Sequence, residues 1–181
     1  MVAVLAGLAF TAAMTMLLTF FVTGNARADQ AGNVFFLLFY ALAAIVVAQL
    51  HARYVDLTAL VWAPTAVALV ALVVLFTSQA LVLAGRVDFR RVAVLQTAGF
   101  GVYVLWLLAA SVLVIAFGGL PLVLGWLGLA AVAVTLAALA VFGRDPAVIR
   151  GDRPPGRIEA LFGFAPLLAI AAWLIVLGLS A

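Results

Sequence analysis

The chain has 181 residues, of which 70% are hydrophobic and only 8% charged, and its formal net charge is +3. A soluble globular domain carries about 25% charged residues, so this composition excludes one and indicates an integral membrane protein. The chain has one histidine, no cysteine and no lysine. These counts exclude disulfides, thiolate and multi-histidine metal sites, bis-histidine haem and a lysine Schiff base.

Six apolar runs follow one another along the chain. A membrane-spanning helix needs about 20 mostly apolar residues, because each residue rises about 1.5 Å through a hydrocarbon core of about 30 Å. Lipid offers the backbone no hydrogen-bonding partner, so uniform runs of this length predict helices. We therefore predict an all-α integral membrane protein with a single transmembrane domain, residues 1–181. Its six spans are roughly residues 2–23, 33–50, 57–84, 92–117, 120–142 and 158–179.

The arginines are divided unequally between the five loops. Eight of the nine lie in the first, third and fifth loops, and only Arg53 lies in the second or fourth. Cytoplasmic loops are enriched in arginine, so this distribution predicts a cell (inner) membrane protein with both termini outside, N-out and C-out. Because topology explains the basic residues, nucleic acid is not predicted as a partner. The fifth loop is expected to attract anionic lipid headgroups on the cytoplasmic side through Arg144, Arg150, Arg153 and Arg157.

The end of the first run offers an alternative. Ala26-Arg27-Ala28 before Asp29 resembles the small-residue cleavage site of a secretory signal peptide, which would leave five helices. The run is long for the apolar region of a signal peptide, and no basic residue precedes it. The arginine distribution also places this loop inside. The uncleaved protein with six helices is therefore favoured.

A polar island between the second and third spans holds His51, Arg53, Tyr54 and Asp56. A short turn or a frayed helix end would bring these side chains together, with Arg53 paired to Asp56 and His51 as a proton-responsive group. They are our candidates for a ligand-binding or proton-responsive site. The alternative is structural, with Arg53 and Tyr54 anchored at the membrane interface and Asp56 capping the third helix.

Threonines recur every four residues along the first span, which places their hydroxyl groups on one helix face. The residues are Thr11, Thr15, Thr19 and Thr23. This face is either a polar lining for a solute path or a helix-packing face whose hydroxyls bond the carbonyls of the preceding turn. No ionisable residue lies in the middle of any span, which disfavours a proton-driven transporter or pump.

Two short motifs resemble a known family. Ala52-Arg53-Tyr54-Val55-Asp56 resembles the third-helix motif of microbial rhodopsins, and Phe21-Val22-Thr23-Gly24, followed by Asp29 and Ala31, resembles their first cytoplasmic loop. The resemblance implies a counter-ion role for Asp56 and a gating role for Arg53. It covers about the first third of the chain. The chain departs from the family in having six spans instead of seven, a shorter connection before the motif and no retinal-binding lysine, so light-driven pumping is not implied.

Two functions stay open. The first is a non-enzymatic protein that binds or passes a small solute, ion or lipid, with the polar island as its mouth and the threonine face as part of its lining. The second is a structural or regulatory subunit of a larger membrane complex, or a homo-oligomer, that works through its helix faces. The spans hold no nucleophile and base pair, metal cluster or carboxylate dyad, so we predict neither an enzyme nor a cofactor.

Overall fold

The computed structural model describes residues 1–56, 59–142, 147 and 157–180, and this part of the chain contains helices and no strand. A short 3-10 helix, Ala59–Val61, stands between the second and third of six long helices. These are α1 (Val2–Thr23), α2 (Ala26–Tyr54), α3 (Trp62–Leu83), α4 (Phe89–Phe117), α5 (Leu122–Phe142) and α6 (Arg157–Ser180).

Five helices, α1 to α5, are long and apolar enough to cross a membrane, and α6 contributes a shorter apolar segment, Phe164–Ser180. Only 33% to 39% of the residues in the most apolar part of each of these five spans are buried. Most residues of these apolar segments are therefore exposed or half-buried, which is compatible with a multi-pass membrane protein. This confirms the predicted all-helical bundle.

Two helices begin earlier than predicted because they are capped. α2 begins at Ala26 instead of residue 33, and the Asn25 side chain accepts a hydrogen bond from the backbone N–H of Arg27 at 2.9 Å. α4 begins at Phe89 instead of residue 92, and Asp88 accepts from the N–H of Arg90 at 2.8 Å. The predicted spans 33–50 and 92–117 lie within these helices. Loss of hydropathy ends a predicted span, whereas a capped polar segment can continue as helix.

The end of α2 and the start of α5 also differ from the bounds of the predicted spans. α2 continues to Tyr54 instead of residue 50, so most of the polar island is its last turn. α5 begins at Leu122 instead of residue 120, after a connection in which Gly118 and Gly119 have left-handed φ angles of 69° and 78°. Non-glycine residues avoid this conformation, and helices do not pass through it.

The six helices form a closed ring. Each of α1 to α4 packs against the next helix in the chain, α5 packs against α6, and α6 packs back against α1. Glycines allow the closure, because a Cβ atom on Gly178 of α6 would lie 2.6 Å from the backbone nitrogen of Val4 in α1. A Cβ on Gly7 would likewise lie 2.9 Å from the carbonyl oxygen of Ala171. Backbones this close require small residues.

Aromatic side chains fill the inside of the ring. Phe10 of α1 stacks on Phe39 of α2 with ring centroids 4.2 Å apart, and Phe39 meets Tyr103 of α4 edge to face at 6.0 Å. Trp106 stacks on Tyr103 at 5.5 Å and meets Trp173 of α6 at 6.3 Å. All five residues are buried. We call these five residues the aromatic core; four of the six helices contribute to it.

Candidate functional site

Most of the polar island lies at one end of the bundle, where it meets α3. His51 Nδ1 is 3.3 Å from the hydroxyl of Thr65, a distance that allows a hydrogen bond. The His51 ring also meets the Trp62 ring at an interplanar angle of 75°, with centroids 4.4 Å apart. We call His51, Tyr54, Trp62 and Thr65 the histidine cluster.

Arg53 and Tyr54 reach a distant part of the chain. The Arg53 guanidinium donates a hydrogen bond to the carbonyl of Gly119, and the Tyr54 hydroxyl donates to the carbonyl of Gly118 at 2.7 Å. The last turn of α2 is thereby tied to the connection between α4 and α5. The left-handed turn at the two glycines leaves these carbonyls outside any helix, so they remain free to accept.

Asp56 takes no part in this arrangement. It is exposed and makes no hydrogen bond or ion pair with any described residue. The expected pairing of Arg53 with Asp56 was wrong because the glycine carbonyl takes the guanidinium. The expected capping of α3 by Asp56 was also wrong, since the 3-10 helix intervenes and Val61 occupies the cap position.

A small cavity adjoins the histidine cluster. Its lining includes His51, Tyr54, Thr65 and Trp106, and its volume is about 10 Å³. That is about the room of one water molecule. Sites for small organic ligands have volumes of about 300 to 1,000 Å³, so a solute larger than water would bind here only if the surrounding side chains moved apart.

A second polar group joins three helices at the opposite end of the bundle. Gln96 of α4 donates to the Gln79 side-chain carbonyl at 2.9 Å, and Gln79 of α3 donates to the Asn33 side-chain carbonyl at 2.6 Å. Asn33 of α2 lies 3.5 Å from the Asp29 carboxylate, at the limit of a hydrogen bond. We call these four residues the amide chain. Asn33 lies about 27 Å from His51 along α2, since a helix rises about 1.5 Å per residue.

The carboxylate gives the amide chain a direction. An ionised Asp29 can only accept, so Asn33 must present its NH₂ group there and its oxygen to Gln79. Gln79 must then present its own oxygen to Gln96. Each amide donates toward Asp29, and Asn33 and Gln79 each accept from the next amide in the chain. Gln79 is only 2% exposed. The arrangement satisfies the buried Gln79 amide and joins α2, α3 and α4.

Sequence reasoning did not connect these four residues. Gln79 and Gln96 stand near the ends of their predicted spans, and Asn33 opens the second span. The signal that could have found them is their common depth, because each lies within about seven residues of the same set of loops. Amide side chains at one depth on consecutive helices can bond across helices.

The four threonines bond their own helix. Each hydroxyl donates to the carbonyl four residues earlier, at 2.9 Å for Thr11 and Thr15, 2.8 Å for Thr19 and 2.6 Å for Thr23. Thr15 and Thr23 are exposed, and Thr11 and Thr19 are half-buried. The face therefore lies toward the outside of α1, away from the aromatic core.

The remaining candidates are the Tyr103 hydroxyl, groups of potential metal ligands and the arginines of the fifth loop. Tyr103 has a buried hydroxyl without a hydrogen-bond partner among the described residues. No group of three or more potential metal ligands occurs in the part of the chain that the structure describes. Three arginines of the predicted headgroup-binding set, Arg144, Arg150 and Arg153, lie outside the described residues, and Arg157 is the first residue of α6.

The chain matches no protein-family model, and comparison with curated proteins and with solved structures finds no match either. The resemblance to microbial rhodopsins stays a prediction from the sequence.

Proposed function

We propose that the chain is a non-enzymatic subunit of a larger membrane complex and that it works through its outer helix faces. The observation that carries this proposal is the aromatic core. Side chains from α1, α2, α4 and α6 occupy the inside of the ring that a solute would have to cross. A close-packed interior of this kind leaves no open passage for a solute.

The topology of the proposed subunit follows from the sequence. We infer that α6 is the sixth span, since it packs between α5 and α1 and completes the ring. Eight of nine arginines lie in three alternate loops. This distribution supports an N-out, C-out orientation in the cell (inner) membrane.

Exposed apolar residues supply the surface for a partner. Val70 of α3 is 65% exposed, and Leu105 of α4 and Leu168 of α6 are each 60% exposed. Lipid also covers such side chains, because acyl chains are as apolar as leucine. The experiment must therefore separate a partner protein from lipid.

Site-specific photo-crosslinking in cells makes this separation. A photoreactive residue replaces Val70, Leu105 or Leu168, one at a time, and the purified product is examined by native mass spectrometry in a mild detergent. A subunit is expected to crosslink to one protein from one face only and to leave the membrane with that protein in a fixed ratio. The other two positions serve as matched controls. A chain that leaves the membrane alone and crosslinks only to lipid at all three positions would contradict the proposal.

The histidine cluster favours a second candidate function, in which the protein binds a small solute or ion there. Three polar side chains, His51, Tyr54 and Thr65, converge on the cavity. A binding protein is expected to retain a small molecule in native mass spectrometry and to lose it in Thr65→Val. Retention that is the same in both variants would exclude this site.

A further inference from the structure

The connection between α3 and α4 forms a second pocket, at the end of the bundle that holds the amide chain. It is an open depression of about 410 Å³, and its lining residues are exposed or half-buried. We call it the arginine pocket; it is lined by Gly85, Arg86, Val87, Asp88, Arg90 and Arg91.

The guanidinium groups of this pocket are not engaged within the fold. Arg86, Arg90 and Arg91 are exposed, and none of their side chains makes a hydrogen bond or ion pair with a described residue. Arg53, in contrast, donates to a backbone carbonyl. The pocket holds one acid, Asp88, and that carboxylate caps α4 by accepting the N–H of Arg90. Planar guanidinium donors with excess positive charge match a phosphate group.

The pocket lies where the chain leaves one apolar span and enters the next. It connects the candidate spans Ala59–Leu83 and Phe89–Phe117, so it stands at the level of the lipid headgroups. Leu83 and Phe89 flank it and are 37% and 46% exposed. A ligand that carries both a phosphate and an acyl chain would contact the arginines and this apolar margin together.

We infer that the arginine pocket binds the phosphate group of an anionic phospholipid. A soluble phosphate ester would offer the same group to the arginines, but it would leave Leu83 and Phe89 without a partner. The inference concerns a bound lipid and does not depend on whether the chain is a complex subunit.

Native mass spectrometry of the whole chain tests the inference. The protein is purified in a mild detergent and titrated separately with phosphatidylglycerol and with phosphatidylcholine, and the bound lipids are counted. The variants are Arg86→Gln, Arg90→Gln and Arg91→Gln. Arg27→Gln is the matched control, because Arg27 is exposed in the first turn of α2 and lies outside the pocket.

The wild type is expected to prefer phosphatidylglycerol. Each pocket variant should bind it about fivefold more weakly, the effect of one arginine near an anionic headgroup, whereas Arg27→Gln should change the affinity less than about twofold. The thermal unfolding midpoint of each variant in detergent shows that it is folded.

Three results would overturn the inference. The first is a wild type without preference for phosphatidylglycerol, which needs no variant at all. The second is an equal loss of binding in Arg27→Gln, which would mean a diffuse effect of surface charge. The third is displacement of the lipid by glycerol 3-phosphate at the same concentration, which would assign the pocket to a soluble phosphate ester.

Discussion

Replacing Gln79 with leucine tests whether the amide chain holds three helices together. Gln79 donates to Asn33 at 2.6 Å and accepts from Gln96 at 2.9 Å, and it is 2% exposed. Leucine is similar in size and apolar. The change therefore removes two hydrogen bonds between helices and leaves little empty space.

The expected loss in free energy of unfolding is about 1 to 3 kcal/mol. Hydrogen bonds between membrane helices average about 0.6 kcal/mol and reach about 1.7 kcal/mol, and two are lost. The partners are also left without their bonds, since the Asn33 oxygen loses its donor and the Gln96 amide keeps only the Ser78 hydroxyl at 3.4 Å. Asn33 and Gln96 are half-buried, so leaving them without these bonds adds less than the cost of about 1 to 3 kcal/mol for a fully buried unsatisfied group.

Reversible unfolding by dodecyl sulfate in mixed micelles, followed by tryptophan fluorescence, measures this loss. Thr97→Val is the matched control, because the Thr97 hydroxyl donates to Ala93 within α4 at 2.9 Å and joins no second helix. It should change the free energy of unfolding by less than about 0.5 kcal/mol. The double variant Gln79→Leu/Gln96→Leu should lose less free energy of unfolding than the sum of the losses in the two single variants. The difference should be about 0.5 kcal/mol or more. A neutral Gln79→Leu, or a Thr97→Val as costly as Gln79→Leu, would refute the reasoning.

The same unfolding assay checks three more changes. Gly178→Ala should cost about 1 to 3 kcal/mol, because the new Cβ meets the backbone of Val4 where α6 closes the ring; a neutral result would place the two helices further apart. Trp173→Phe should cost a similar amount, since it removes a buried hydrogen bond from the indole nitrogen to the Leu124 carbonyl at 3.0 Å and part of the ring volume. Tyr103→Phe should be neutral or stabilise the protein by up to about 1 kcal/mol, because the hydroxyl it removes is buried without a described partner. A clear destabilisation by Tyr103→Phe would mean that this hydroxyl has a partner.

The number and order of the helices could be predicted because a segment of sufficient length and high average hydropathy forms a helix in lipid. α1 has the predicted bounds, 2–23, since Gly24 takes a left-handed conformation directly after the last apolar residues. α2, in contrast, begins seven residues before the predicted span. Residues 26–32 have low hydropathy, but they include helix-forming residues, and Asn25 caps the helix before them.

The position of the polar island could be predicted, but its partners could not. Arg53 and Tyr54 bond carbonyls 66 and 64 positions away, and these acceptors are backbone atoms that every residue possesses. Only the left-handed turn at Gly118 and Gly119 makes them available. In the same way, periodicity places the four threonines on one face of α1, whereas the side on which α2 and α6 pack is a property of the assembled ring.

The contact between α1 and α6 sets an order of assembly. Gly7 and Ile175, which meet in this contact, stand 168 positions apart, so synthesis at about 5 to 20 residues per second delivers the second roughly ten to thirty seconds after the first. During that interval α1 can pair with α2, but the face of α1 that carries Gly7 has no contact with α6. Closure of the ring therefore follows the synthesis of α6, and a nascent chain stalled before α6 would present an open arc of helices to the insertion and quality-control machinery.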